Sequence, residues 1–167
     1  VVLFWTPADW AWAGGLLNAL LPALCHGVPV VAALAPKFEP VWALEVMKRC
    51  AVTNVFLPPT ALRMILGGGT ATEELSLRVI GTAGEALGRQ THQRAMDMFG
   101  VPVNEFYGQT ECNAMLANCA ALGINRPGAV FRGELNLGEG TKFAGAFRTH
   151  GLLFCTPGYR RSTRVPA

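Results

Sequence analysis

Apolar and polar positions along this chain fall into blocks whose spacing predicts the elements. Residues 14–24 are almost wholly apolar and read as a buried helix, ended by His26-Gly27, and residues 28–32 read as the strand that follows. Pro40 suits a first helical position, with Glu39 favourable beside that helix N-terminus. Val41, Leu44, Met47 and Ala51 then recur at helical spacing. Residues 53–57 form a short β-branched and aromatic run cut off by Pro58-Pro59, after which Thr60 can cap a helix over 61–66. Gly67-Gly68-Gly69-Thr70 reads as a flexible break, since it lacks the Lys of a phosphate-binding loop. The rhythm then repeats, with a strand over 77–80, a helix over 88–99 and a strand over 101–106.

Strands alternating with helices across short connections predict an α/β fold with a doubly wound, mostly parallel sheet flanked by helices. After Cys119 the pattern decays, and residues 127–145 hold five glycines with few periodic apolar positions. Residues 1–120 are therefore expected to form the ordered domain, and 121–167 a divergent, irregular tail.

Composition narrows the classes. A chain of 167 residues, 51% hydrophobic and 15% charged, can build a core and is not a disordered chain. The net charge of +3 is modest and no basic stripe interleaves with aromatics, so no nucleic-acid partner is expected. Arg160, Arg161 and Arg164 read as a solvated chain end. Residues 10–36 contain no Asp, Glu, Lys or Arg and are long enough to span a bilayer. Pro22 and Pro29 interrupt that stretch and Asn18 and His26 lie inside it, so a buried helix, turn and strand is expected, not a membrane span. The absence of an initial Met suggests a cut N-terminus. Cysteines at 25, 50, 112, 119 and 155 form no CxxC pair, sit mostly in apolar surroundings and read as reduced core thiols of a cytoplasmic protein. His26, His92 and His150 lie far apart and read as structural or surface residues.

Topology points to where chemistry could sit. Strands near 77–80 and 101–106, joined by a helix, should lie parallel and open their carboxyl ends on one sheet edge. Open α/β sheets bind ligands at that edge. Two runs are expected there, Gly81-Thr82-Ala83-Gly84-Glu85 and Tyr107-Gly108-Gln109-Thr110-Glu111. Each joins small residues, which let backbone approach a ligand, to a carboxylate. Tyr107 offers a flat face for a base, Thr110 a hydroxyl and an N–H for phosphate oxygens, and Glu111 a hard oxygen ligand for Mg²⁺. Read singly, these are also a packing Tyr, a helix-cap Thr and a turn Gly.

The second run is similar to the Tyr-Gly-x-Thr-Glu signature of the adenylate-forming superfamily. Gly84-Glu85-Ala86 resembles its adenine-contacting Gly-Glu-Pro segment. Thr6-Pro7-Ala8-Asp9-Trp10-Ala11-Trp12, followed by Gly14-Gly15, resembles the stretch that begins its acyl-site helix. The likeness covers roughly residues 1–120 and is greatest to medium-chain and acetyl-type acyl-CoA synthetases. It implies part of the large N-terminal domain of an enzyme that converts ATP and a small-molecule carboxylic acid to an acyl-adenylate and passes the acyl group to CoA.

By that resemblance Gly84, Glu85 and Ala86 border the adenine, partly through backbone, and Glu105 meets its amino group. Phe106, Tyr107, Gly108, Gln109 and Thr110 complete the ATP site, with Tyr107 stacked on the base. Thr110 and Glu111 are the implied catalytic residues, on the α-phosphate and on Mg²⁺. Trp12, Ala13, Gly14, Ala83 and Gly108 would border the acyl group. Acetyl-specific relatives place a Trp where this chain has Gly108, so small residues at 13, 14, 83 and 108 imply an acid longer than acetate.

The family's phosphate loop with its Lys should precede residue 1, and the C-terminal domain with the adenylation Lys should follow. Residues 141–151 faintly resemble the segment ending in Arg-Thr-Gly-Asp, but His150-Gly151 stand in place of Gly-Asp and the spacing from Glu111 is too short. Gly158-Tyr159-Arg160 is an equally faint echo of the later hinge. A deletion, a frameshift or a gene remnant would each account for this. The expectation is a ligase fragment inactive by itself, and the alternative is a non-catalytic remnant or interaction module with an α/β core.

Overall fold

Four short parallel strands carry the fold in the computed structural model, which describes residues 1–33, 35–68, 75–123 and 125. They are β1 (Phe4–Trp5), β2 (Asn54–Phe56), β3 (Val79–Thr82) and β4 (Val103–Gln109), and an antiparallel β5 (Asn113–Ala117) follows β4 in a hairpin. The sheet order is β1-β2-β3-β4-β5, with Asn54 beside Val79 and Thr82 beside Glu105.

Successive strand residues point to opposite faces, and here both faces are covered. Trp5, Val55, Ile80 and Val103 pack on one face against α3 (Pro40–Arg49), α4 (Pro59–Gly67) and α5 (Arg89–Phe99), through Ala43, Met47, Leu62, Ile65 and Ala95. Phe4, Phe56, Ala83 and Phe106 face the other way, onto Ala19 and Ala23. Those alanines belong to the helical run 13–25, made of α1 (Ala13–Gly15), a π-helical turn (Leu16–Leu20) and α2 (Leu21–Cys25). Burial on both faces explains why the strands read as continuous apolar runs. The mostly parallel sheet flanked by helices is as expected from sequence.

Local details differ from the sequence reading. Residues 28–32 form no strand: Pro29 has no N–H to give a ladder, and only a Phe4–Val30 bridge remains, with Val31 N–H donating to Phe4 O at 2.8 Å. The helical run 13–25 is not buried all round, since Leu17, Leu21 and Leu24 are exposed. Ala51 is not helical; α3 stops at Arg49 and Ala51 takes φ 51°. Thr60 is not the cap of α4, because Pro59 already occupies the first helical turn, where its missing N–H costs nothing. β4 continues through Gln109, and β5 has no counterpart in the sequence reading.

The thiols also differ from expectation. Cys25, Cys50 and Cys112 are free and exposed, not apolar core groups, and Cys119 is buried and disulfide-bonded. Among the described residues no helix is long and apolar enough to cross a membrane. The readings of residues 127–145, 141–151 and 158–160, and of Gly69-Thr70, fall outside the described residues.

Candidate functional site

The carboxyl ends of β3 and β4 meet the start of the helical run 13–25 at a cavity of about 150 Å³. Parallel pairing of the two strands brings Ala83-Gly84 and the end of β4 to one edge, as the crossover argument requires. Trp12, Ala13 and Gly14 reach the same edge from the other side of the sequence. Of the expected site residues, Trp12, Ala13, Gly14, Ala83, Gly84, Phe106, Gly108, Gln109 and Thr110 all line this cavity.

Glycines let the walls close. The Trp12 ring lies where side chains at two glycines would be: a Cβ on Gly14 would come within 2.3 Å of it, and one on Gly84 within 3.2 Å. The indole stacks on Phe56 at 6.1 Å between centroids, and Phe56 leans on Phe106 at 5.8 Å. Three aromatics from the helix start, β2 and β4 thus form a continuous apolar wall. Gly84 takes φ 107°, a left-handed conformation that favours glycine.

Gly108 lines the cavity and is also held small by the fold. A Cβ there would meet the backbone oxygen of Asn113 at 2.1 Å and Ala114 Cα at 3.0 Å, because β5 crosses it closely. The β4–β5 register shifts between Tyr107 and Gly108, and Asn113 turns the hairpin with φ 57°. Thr110 and Glu111 stand exposed at the hairpin tip.

Other expected site residues lie outside the cavity lining. Strand alternation gives Glu105 and Tyr107 the face opposite Phe106. Glu105 is fully buried, and its Oε1 accepts the Leu87 N–H at 2.9 Å while Oε2 has no partner among the described residues. Burial pushes its carboxyl above the usual range, partly offset by the Leu87 bond. This carboxylate is held by the β3–α5 loop on the face of β4 that Tyr107 shares, and it does not line the cavity.

Glu85 is also engaged. It accepts bonds from the Thr60 N–H at 3.0 Å, the Thr60 hydroxyl and Arg63 Nη1 at 2.8 Å. The Thr60 bond and then Arg63 hold its carboxyl below the ordinary value. Ala86 offers its carbonyl to Arg63 Nη2. Only the backbone of Gly84-Glu85-Ala86 is therefore left to border a ligand.

Sequence reasoning missed Leu17, Asn18 and Asn113, which complete the lining. Leu17 and Asn18 follow Gly14 at three and four positions, one helical face, so the signal was there. Asn113 had none, because a hairpin brings it back. His92 is a core group: it is fully buried, bonds Val103 O at 2.9 Å, and burial lowers its pKa. No cluster of three His, Cys, Asp or Glu that could hold a metal occurs among the described residues.

Comparison with known proteins gives one answer. The family model described as AMP-binding enzyme matches residues 2–133. Human mitochondrial acyl-coenzyme A synthetase ACSM2B is 28% identical over 110 residues, which is 65% of this chain and 19% of that protein. The structure of an acyl-CoA synthetase from Brucella canis matches with a TM-score of 0.63 and 30% identity, over 70% of this chain and 22% of that one. ATP-bound MatB from Rhodopseudomonas palustris matches with a TM-score of 0.62 and 25% identity, over 70% of this chain and 23% of its own. The chain spans about a fifth of the length of the curated relatives it matches.

Proposed function

Because the chain belongs to the AMP-binding enzyme family, we propose that it is part of an ATP-dependent acid–thiol ligase that activates a carboxylic acid and passes it to CoA. The observation that carries this reading is convergence: three separated segments, singled out for an acyl-adenylate site, line one cavity at the carboxyl ends of β3 and β4.

The acyl group lies in the cavity against Trp12, Ala13, Gly14, Ala83 and Gly108, with the apolar wall of Phe106 beside it. Tyr107, on the opposite face of β4, supplies the flat surface for the base, and the backbone of residues 84–86 borders it. The Thr110 hydroxyl and N–H hold α-phosphate oxygens at the hairpin tip. Glu111 is the group suited to Mg²⁺, an exposed carboxylate at the hairpin tip. One carboxylate is enough, since Mg²⁺ takes its remaining ligands from phosphates and water, and charge neutralisation is the chemistry it supplies when bound. Glu105, on the same face of β4 as Tyr107, meets the adenine amino group through Oε2 while its Oε1 holds the Leu87 N–H.

The acid is longer than acetate, medium-chain or of comparable branched or aromatic bulk. Small residues at 13, 14 and 83 support this. The described residues supply one wall of the site, and turnover by this chain alone is not expected. A cytoplasmic location rests on the free, exposed Cys25, Cys50 and Cys112; against it stand the bonded Cys119 and the mitochondrial address in the human relative's name. The test is acid-dependent ATP–pyrophosphate exchange by the full-length enzyme. Exchange with hexanoate above that with acetate is expected, and a strong preference for acetate refutes the chain-length reading. Absence of exchange with any acid refutes the ligase reading.

A further inference from the structure

The β3–α5 loop has glycine at both ends of its sensitive part, Gly84 at φ 107° and Gly88 at φ 80°. Such a segment is intrinsically free to change shape. What restrains it comes from elsewhere in the sequence. Helix α4 starts at Pro59 with Pro58 before it, so its N-cap has no side chain to accept the Thr60 N–H. Glu85 fills that role from a distance, accepting the Thr60 N–H and hydroxyl.

Arg63, one turn along α4, closes the arrangement. Its Nη1 meets Glu85 Oε2 at 2.8 Å and its Nη2 donates to Ala86 O. One planar guanidinium thus grips a side chain and a carbonyl of adjacent loop residues. Glu105 holds the next residue, Leu87, from β4. We propose that Arg63 is a positioning residue: by clamping Glu85 and Ala86 to the first turn of α4, it holds the backbone of residues 84–86 in the shape that receives the nucleotide base. The inference rests on the nucleotide reading given above.

Arg63 and Glu85 are 41% and 43% exposed, so solvent screens the pair and the effect is moderate. Two readouts test it in the full-length enzyme, amide exchange of residues 84–88 without ligand and Mg·ATP affinity, in wild type, Arg63→Ala, Arg63→Lys and Arg94→Ala. Arg94 bonds Leu66 O at the far end of α4 and controls for a general loss of helix packing.

Arg63→Ala should speed exchange in the loop about fivefold and weaken Mg·ATP about threefold, as expected for a partly exposed charged clamp. Arg63→Lys should fall between, because an ammonium on a flexible stem does not reproduce the two-acceptor grip. Arg94→Ala should change neither. Unchanged loop exchange in Arg63→Ala overturns the clamp, and a loosened loop with unchanged Mg·ATP affinity overturns its bearing on the nucleotide. If wild type itself fails to bind Mg·ATP, the nucleotide reading falls, while loop exchange still decides whether Arg63 holds residues 84–88.

Discussion

Replacing Gly108 by Ala tests whether this position is small for the ligand or for the fold. The added Cβ would sit 2.1 Å from Asn113 O, 2.8 Å from its carbonyl carbon and 3.0 Å from Ala114 Cα. All three are backbone atoms of the partner strand, so no rotamer change relieves them. Ordinary carbon–oxygen approach begins near about 3.3 Å, so β5 must retreat by roughly an ångström. Overpacking of this kind costs about 1–3 kcal/mol, and for a chain of this size each kcal/mol lowers Tm by about 2–4 °C. The expected result is a fall in Tm of roughly 2–12 °C, read by circular dichroism. Gly67→Ala is the control, since nothing lies within 4 Å of its Cβ and it ends α4; it should be neutral or gain about 0.4–1 kcal/mol. If Gly108→Ala melts within about 1 °C of wild type, the hairpin argument is wrong and residue 108 is free to vary with the acyl pocket. If the fall is seen, the Trp of acetyl-specific relatives cannot be grafted here without moving β5.

Two glutamates should tilt the pH dependence of stability in opposite directions. Burial raises the Glu105 carboxyl, so the folded state keeps its proton longer than the unfolded chain and stability falls as pH rises through the unfolded value of 4.5 toward the folded one. Glu105→Gln keeps an acceptor for Leu87 and should remove that loss, so its Tm advantage over wild type grows across this window. Glu85 is held low by Thr60 and Arg63; its contribution is present above 4.5 and is lost as pH falls through the lowered value. Glu85→Gln should therefore be less stable than wild type near neutrality and converge with it in acid. The two melting series, each run against pH, refute the assignments if the differences carry the reverse sign.

The sequence by itself determined the architecture and the address of the site. Continuous apolar runs of strand length between amphipathic helices leave few arrangements other than a parallel sheet covered on both faces, and parallel strands joined by α5 must end on one edge. Hence Ala83, Gly84 and the end of β4 could be assigned to one place from their order alone. Side-chain roles within that place were decided by tertiary contacts. Thr60 reads as a helix cap because the local pattern fits one, yet the acceptor that completes α4 is Glu85, twenty-five residues away. Glu105 sits in a motif assigned to the ligand, and only the fold shows that one of its oxygens is taken by the Leu87 N–H, eighteen residues away. Gly108 looks like room for an acyl chain until β5, which local spacing does not announce, passes within reach of its missing side chain. Periodicity is a property of neighbours in sequence, and it fixes which face of an element is buried. Satisfying a buried donor or excluding a Cβ depends on atoms that only folding brings together.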